Sequence, residues 1–209
     1  HGSLSPFRGD SAILKMADLM KELLGIVELK AEISEDMKEV IEESKKVAEK
    51  LIGVKGIGRI LDHATINIGL IRGGTKVNIV PDRCEIDIDI RVPIGLSAEK
   101  VVEWVKDKAS KYGGDVEFLC TNDANYTSPS AEIVRVTCEN IEEALGVKPR
   151  LFVQWASSDA RYYRARGIPT IHYGPAVVEG IHGYDEKVKA EDVVKATMVY
   201  AGVALDYLA

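Results

Sequence analysis

Apolar residues recur at helical spacing through the first fifty positions, and the period then drops to two. Ile13, Met16, Ala17, Met20, Leu23 and Leu24 fall on one stripe, with Asp10 placed to cap the helix that carries them. Ser34 opens a second helix with Met37, Val40, Ile41, Val47, Ala48 and Leu51 on one face. Its other face is almost wholly Glu and Lys, many paired at three or four residues, and reads as solvent-exposed. Gly53, Gly56 and Gly58 end it. Residues 65–71 then alternate, with Ile66, Ile68 and Leu70 predicted on one side. A turn at 72–75 leads into a second strand over 76–91. Its second half alternates strictly: Cys84, Ile86, Ile88 and Ile90 against Glu85, Asp87, Asp89 and Arg91. One covered and one polar face is the pattern of an antiparallel sheet open on one side.

Pro93 and Gly95 stop that strand, and Ser97 caps a helix carrying Val101, Val102, Val105 and Ala109. Gly113 and Gly114 end the helix, and a strand is predicted over 116–120. Helices on one face of an antiparallel sheet make an α+β sandwich, a ferredoxin-like βαββαβ arrangement whose first strand is missing. The polar loop 121–130 is the best linker. After it come a helix over 131–145, a strand over 150–154, a helix over 159–166, a strand over 168–173 and a helix over 190–208. Strands alternating with helices predict a partial α/β domain. Two strands are too few for a stable sheet, so this half reads as part of a larger domain. The expected division is therefore 1–120 and 121–209.

Composition narrows the class. Of 209 residues, 33 are acidic and 27 basic, a net charge of −6 that gives no reason to expect nucleic acid or an anionic membrane as partner. No apolar run approaches the length of a membrane span. Cys84, Cys120 and Cys138 are widely spaced with no CxxC pairing, and read as buried reduced thiols of a cytoplasmic protein. The chain opens at His1 without an initiator Met, so it is expected to be a piece of a longer protein.

The residues that could carry chemistry are few. His182 sits in a Gly-rich loop ahead of Asp185 and Glu186, placed to be a metal ligand or a general acid/base. The two acids either orient it or cap the following helix. Ser157, Ser158 and Asp159 begin a helix, and either hold a substrate anion or form a plain N-cap. Arg161 and Arg164 read as readily as surface charges. Arg91 either binds a carboxylate through its bidentate fork or neutralises Glu85, Asp87 and Asp89. Asn78, near Pro81, is a substrate donor or a turn residue. His63 and His172 read as structural. The GVKGIG run at 53–58 contains G-x-G, but it does not join a strand to a helix and so fails as a nucleotide fingerprint.

Four segments in order resemble one family. HGSLSPFRGDSAI looks like a His-Gly/Ala-x-x-x-Pro segment, and TINIGLIRGGTKVNIVPDRCEIDIDIRVPIG like a lid hairpin. SSDARYYRARGIPTIHYGP looks like a Gly/Ser-Thr/Ser-Asp-Ala-Arg segment, and IHGYDEKV like a terminal metal-ligand motif. Together the chain resembles the dinuclear zinc amidohydrolases and exopeptidases, which include acetylornithine deacetylase, succinyl-diaminopimelate desuccinylase, aminoacylase and carboxypeptidase G. The resemblance implies a catalytic α/β domain with an inserted lid that also forms a homodimer. It implies two zinc ions per subunit, with cobalt a possible substitute. The substrate it implies is an N-acyl amino acid or short peptide with a free carboxylate.

Carried over residue by residue, the resemblance makes His182 the last metal ligand. It makes His1 the lid histidine that reaches into the partner subunit's site to stabilise an oxyanion. Asn78 and Arg91 become substrate contacts, and Ser157 and Ser158 line the pocket, with Asp159 as cap. The family's other metal ligands, its bridging aspartate and its catalytic glutamate match no residue here, so this chain alone is expected to be inactive. The competing expectation is a non-catalytic dimerisation or binding module on the same fold. Ser157-Ser158 stands where Gly-Thr is common, and helix 34–51 has no counterpart in the resemblance.

Overall fold

The alternating segments form an antiparallel hairpin, β1 (Thr65–Gly73) and β2 (Cys84–Arg91), in which Ile66 faces Ile90 and Ile68 faces Ile88. The register then slips, and Leu70 pairs with Asp87 while Ile71 pairs with Ile86. Gly69 is the extra residue, a position where a missing side chain lets the strand bulge. The expected run of Ile66, Ile68 and Leu70 on one face is therefore corrected: the bulge turns Leu70 to the polar side, where it is half exposed. β2 keeps the alternation its sequence predicts along its whole length. It starts at Cys84, because residues 76–83 form the connecting loop rather than strand.

The computed structural model describes residues 1–175, 177 and 183–208. They fall into two compact units: His1–Ile33 with Asp62–Ala124, and Ser34–Leu61 with Asn125–Ala209. This differs from a single cut after residue 120, because the charged helix joins the C-terminal unit.

In the first unit a short turn, Gly2–Leu4, runs into a one-turn helix, α1 (Ser5–Arg8). Next comes α2 (Ala12–Leu23), capped by the Ser11 hydroxyl accepting from the Leu14 amide at 3.4 Å. Asp10, the predicted cap, pairs instead with Lys15 at 2.7 Å. The core joins Leu19, Leu23 and Ile26 to Val101, Val105 and Ala109 of a later helix, with Ile66, Ile86, Ile88 and Ile90 of the hairpin packed against them. Burying each of the larger side chains contributes roughly 1.5–3 kcal/mol. That later helix is α4 (Ala98–Ser110), capped by the Ser97 hydroxyl at the Glu99 amide. Gly95 holds φ at +86°, and a Cβ there would lie 2.4 Å from the Glu32 carbonyl, so only glycine suits this crossing. Val116 and Phe118 reach the core at the predicted alternate positions, yet 116–120 forms no ladder among the described residues, and Leu119 lies in a bend.

The second unit begins with α3 (Glu35–Ile52), whose buried face is Met37, Ile41, Ser44 and Ala48 and whose exposed face carries the pairs Glu42–Lys45 and Glu43–Lys46. Gly53 ends it at φ +74°. α5 (Glu132–Leu145) packs on α7 (Ala190–Leu208), and Gly202 makes the approach possible: a Cβ there would fall 1.8 Å from Asn140 Oδ1. The short α6 (Ala160–Arg164) lies between them in sequence.

The strands predicted over 150–154 and 168–173 are not formed: neither segment joins a ladder among the described residues. Side chains satisfy part of their backbone. The Val153 amide donates to Ser44 Oγ at 2.8 Å, and Thr127 Oγ1 both donates to the Thr170 carbonyl and accepts from its amide. A strand exists only where a neighbouring backbone supplies the alternate donors and acceptors, and apolar patterning cannot report whether one is there.

Candidate functional site

The loop between β1 and β2 carries Asn78, and the start of the chain is tied to it. The Gly2 amide donates to the Asn78 carbonyl at 2.8 Å, and the Ala12 amide to the Pro81 carbonyl at 2.9 Å. A Cβ on Gly2 would stand 3.2 Å from the Asn78 carbonyl carbon and oxygen, so the close approach depends on that glycine. Ile13 rests against Gly73 and Gly74, where φ at Gly74 is +70°. Beside them the hairpin loop and the start of the chain wall an open cleft of about 530 Å³, lined among others by Gly2, Ser5, Ile13, Gly74 and Val77. The structure thus brings His1 and Asn78, widely separated in sequence, to one corner, and both are exposed there.

The His1 ring is oriented within that corner. Its Nδ1 accepts from the Ser3 amide at 3.4 Å and lies 2.7 Å from Ser3 Oγ. An Nδ1 that accepts leaves the proton on Nε2, which makes the outer edge of the ring a hydrogen-bond donor.

Arg91 lies elsewhere. It ends β2 opposite Thr65, whereas Asn78 lies in the loop at the other end of the hairpin. Seven residue steps along β2 amount to about 24 Å. Its guanidinium pairs with Asp89 at 2.7 Å, while Asp87 is held by Arg72 at 3.0 Å and Glu85 by Arg83. Arg91 therefore answers one of the three acids and not the whole row. The hydrogen bond from Arg83 to Glu85 raises the Arg83 pKa above its ordinary value.

In the second unit Ser157 and Ser158 stand just before α6. That helix is five residues long and Asp159 makes no side-chain bond to its amides, so the predicted capping role of Asp159 is corrected. The hydroxyls are held by side chains instead. Arg161 Nη1 donates to Ser157 Oγ at 2.6 Å, and Ser158 Oγ lies 2.9 Å from His172 Nε2. The other ring nitrogen of His172 faces the Gln154 amide nitrogen at 3.0 Å. His172 is thus part of this cluster. Its position after Pro169 gave no periodic or motif signal, and only the fold brings it across from Gln154. Arg164 binds the Thr170 carbonyl through Nε at 2.9 Å and the Asn125 carbonyl at 3.1 Å, a structural clamp and not a surface charge. Burial lowers its guanidinium pKa from the ordinary value.

His182 lies outside the described residues. Asp185 is described and takes φ +58°, a left-handed turn conformation. Among the described residues no three His, Cys, Asp or Glu side chains converge as a metal site would require. The described residues alone therefore do not make a metal centre. Cys84, Cys120 and Cys138 are free thiols, and Cys138 is shifted upward by burial. No described helix is long and apolar enough to cross a membrane.

Comparison with known proteins bears on the family and the fold. Residues 1–117 match the peptidase dimerisation domain of the M20 family. A succinyl-diaminopimelate desuccinylase of Roseobacter denitrificans is 23% identical over 154 residues, covering 71% of this chain and 40% of that protein. An M20 family metallo-carboxypeptidase from Sulfolobus solfataricus superposes with a TM-score of 0.68 at 20% identity, covering 97% of this chain and 54% of that one. The di-peptidase Dug1p of Saccharomyces cerevisiae gives 0.71 at 14% identity, covering 99% and 51%. The chain spans less than half the length of the curated relative and about half of each solved neighbour. With the lid hairpin, its ordered motifs and a family match over more than half its residues, the chain belongs to the M20 peptidase family and carries that family's dimerisation domain.

Proposed function

We propose that the protein carrying this chain is a metal-dependent hydrolase of the amide bond in an N-acyl amino acid or short peptide with a free carboxylate. It acts in the cytoplasm as a homodimer. Residues 1–120, apart from the stretch 34–61 that packs in the second unit, serve as the lid and dimerisation domain. Residues 121–209 serve as the C-terminal part of the catalytic domain. Two zinc ions per subunit, or cobalt in their place, are its cofactor, and activation of water is the chemistry they supply. His182 is the ligand this chain contributes. The remaining ligands and the catalytic base come from outside it, and the chain alone hydrolyses nothing.

The observation that supports this reading is the placement of the three lid residues. His1 offers an Nε2–H donor beside Asn78, suited to an oxygen that gains charge as a carbonyl is attacked. Arg91 offers a guanidinium fork suited to the substrate carboxylate. About 24 Å of strand separates the two features, too far for one small substrate to touch both on one lid. A site that uses all three therefore draws His1 and Asn78 from one subunit and Arg91 from the other. Ser157 and Ser158 add hydroxyls to the pocket wall.

The intact protein, assayed with zinc against N-acetyl-amino acids, N-succinyl-amino acids and dipeptides, should hydrolyse one class. Its turnover should fall when the free carboxylate is amidated. No turnover of any class in the metal-loaded protein would favour a non-catalytic module and reject the proposal.

A further inference from the structure

The cluster around Ser158 has a direction built into it. The side-chain nitrogen of Gln154 is a donor only, and it faces His172 Nδ1 at 3.0 Å. That ring nitrogen must accept, so the proton of the neutral imidazole sits on Nε2. Nε2–H then donates to Ser158 Oγ at 2.9 Å. A hydroxyl that accepts from the ring keeps its own proton for another partner. Ser157 stands in the same condition by an independent route. Arg161 Nη1, which has no acceptor capacity, donates to Ser157 Oγ at 2.6 Å. Two adjacent hydroxyls thus both have a lone pair filled by a protein donor, and both can donate outward.

We infer that His172 is a positioning residue: with Gln154 fixing its tautomer, it sets Ser158 as a hydrogen-bond donor toward a substrate oxygen. The group that meets Ser157 and Ser158 is then an acceptor without protons of its own, a carboxylate or amide carbonyl oxygen, and not an ammonium or an amide N–H. This rests on the proposal that these serines contact substrate. Among the described residues His172 hydrogen-bonds Ser158 and Gln154, and it takes no part in bond making.

Two measurements test it on the intact, metal-loaded protein. Long-range ¹H–¹⁵N correlation on the His172 ring should show the Nε2–H tautomer, whether or not substrate binds. An Nδ1–H tautomer would overturn the inference. Kinetics on whichever N-acetyl-, N-succinyl- or dipeptide substrate turns over supply the second arm. His172→Phe should raise KM about tenfold with little change in kcat, the loss expected for one hydrogen bond made equally in ground and transition states. His172→Gln, which can place an amide donor near the former Nε2, should restore most of it. The His172→Phe and Ser158→Ala changes together should cost no more than Ser158→Ala alone. If Ser158→Ala raises KM while His172→Phe does not, or if the two costs add, the inference fails and the serine assignment stands. If Ser158→Ala is itself silent, the serine assignment fails, and this inference with it.

Discussion

The Gly2 amide donates to the Asn78 carbonyl at 2.8 Å, and this bond ties the start of the chain to the hairpin loop. It sets His1 and Asn78 side by side on a corner that periodicity alone does not reveal. Gly2→Ala would place a Cβ 3.2 Å from the Asn78 carbonyl, against backbone that cannot swing aside. The change should cost about 1 kcal/mol of stability. In the intact protein it should lower kcat about ten- to a hundredfold, because it displaces His1 and Asn78, the two groups proposed to meet the substrate there. Thermal unfolding together with steady-state kinetics checks both effects.

Ser44 holds the second unit together from inside a helix. It is fully buried, donates to the Val40 carbonyl at 2.6 Å and accepts from the Val153 amide at 2.8 Å. Ser44→Ala leaves that amide without its acceptor. A loss of about 1–3 kcal/mol is expected in denaturant unfolding, and Val153 amide exchange should quicken.

Glu22 accepts from the Tyr112 hydroxyl at 2.7 Å and faces Lys108 and Lys111 at 3.8 and 3.7 Å. The tyrosine hydrogen bond is the largest influence and lowers its pKa below the ordinary 4.5; partial burial opposes it, and Lys111 and Lys108 add to the lowering. A depressed carboxyl stabilises the fold above its unfolded pKa, and that contribution is lost as pH falls through its folded value. The first unit should therefore lose stability on acidification below 4.5. Tyr112→Phe should move the Glu22 titration upward when followed by carboxyl NMR. The group is partly exposed to solvent, so the effect is modest.

The hairpin was legible in the sequence, because alternation along 84–91 carries one message that a two-stranded pairing can satisfy. The helices were legible from their stripes, within a residue or two at most ends. What escaped had physical reasons. Gly69 gives no hint that it bulges, and one extra residue was enough to send Leu70 to the other face. The segments 150–154 and 168–173 have strand-like composition, but a ladder needs a partner, and theirs are side chains. Helix 34–51 was patterned correctly, yet it clusters with the C-terminal residues and not with 1–33, since an apolar stripe does not name what it packs against. Among candidate site residues, Asn78 was expected in a strand over 76–91 and lies instead in the loop that joins β1 to β2. His172 was passed over because its partners, Gln154 and Ser158, lie 18 and 14 residues away.

A working site, as proposed, takes Asn78 from one subunit and Arg91 from the other. Co-expression of intact Asn78→Ala and Arg91→Ala proteins with distinct tags tests it directly. Each homodimer should be nearly inactive. With random pairing, half the dimers are mixed, and each mixed dimer holds one site with both residues intact, so the mixture should recover about a quarter of wild-type activity. The purified mixed dimer should recover about half. A mixed dimer no more active than the two parents would show that both residues serve the same site within one subunit, and would contradict the account.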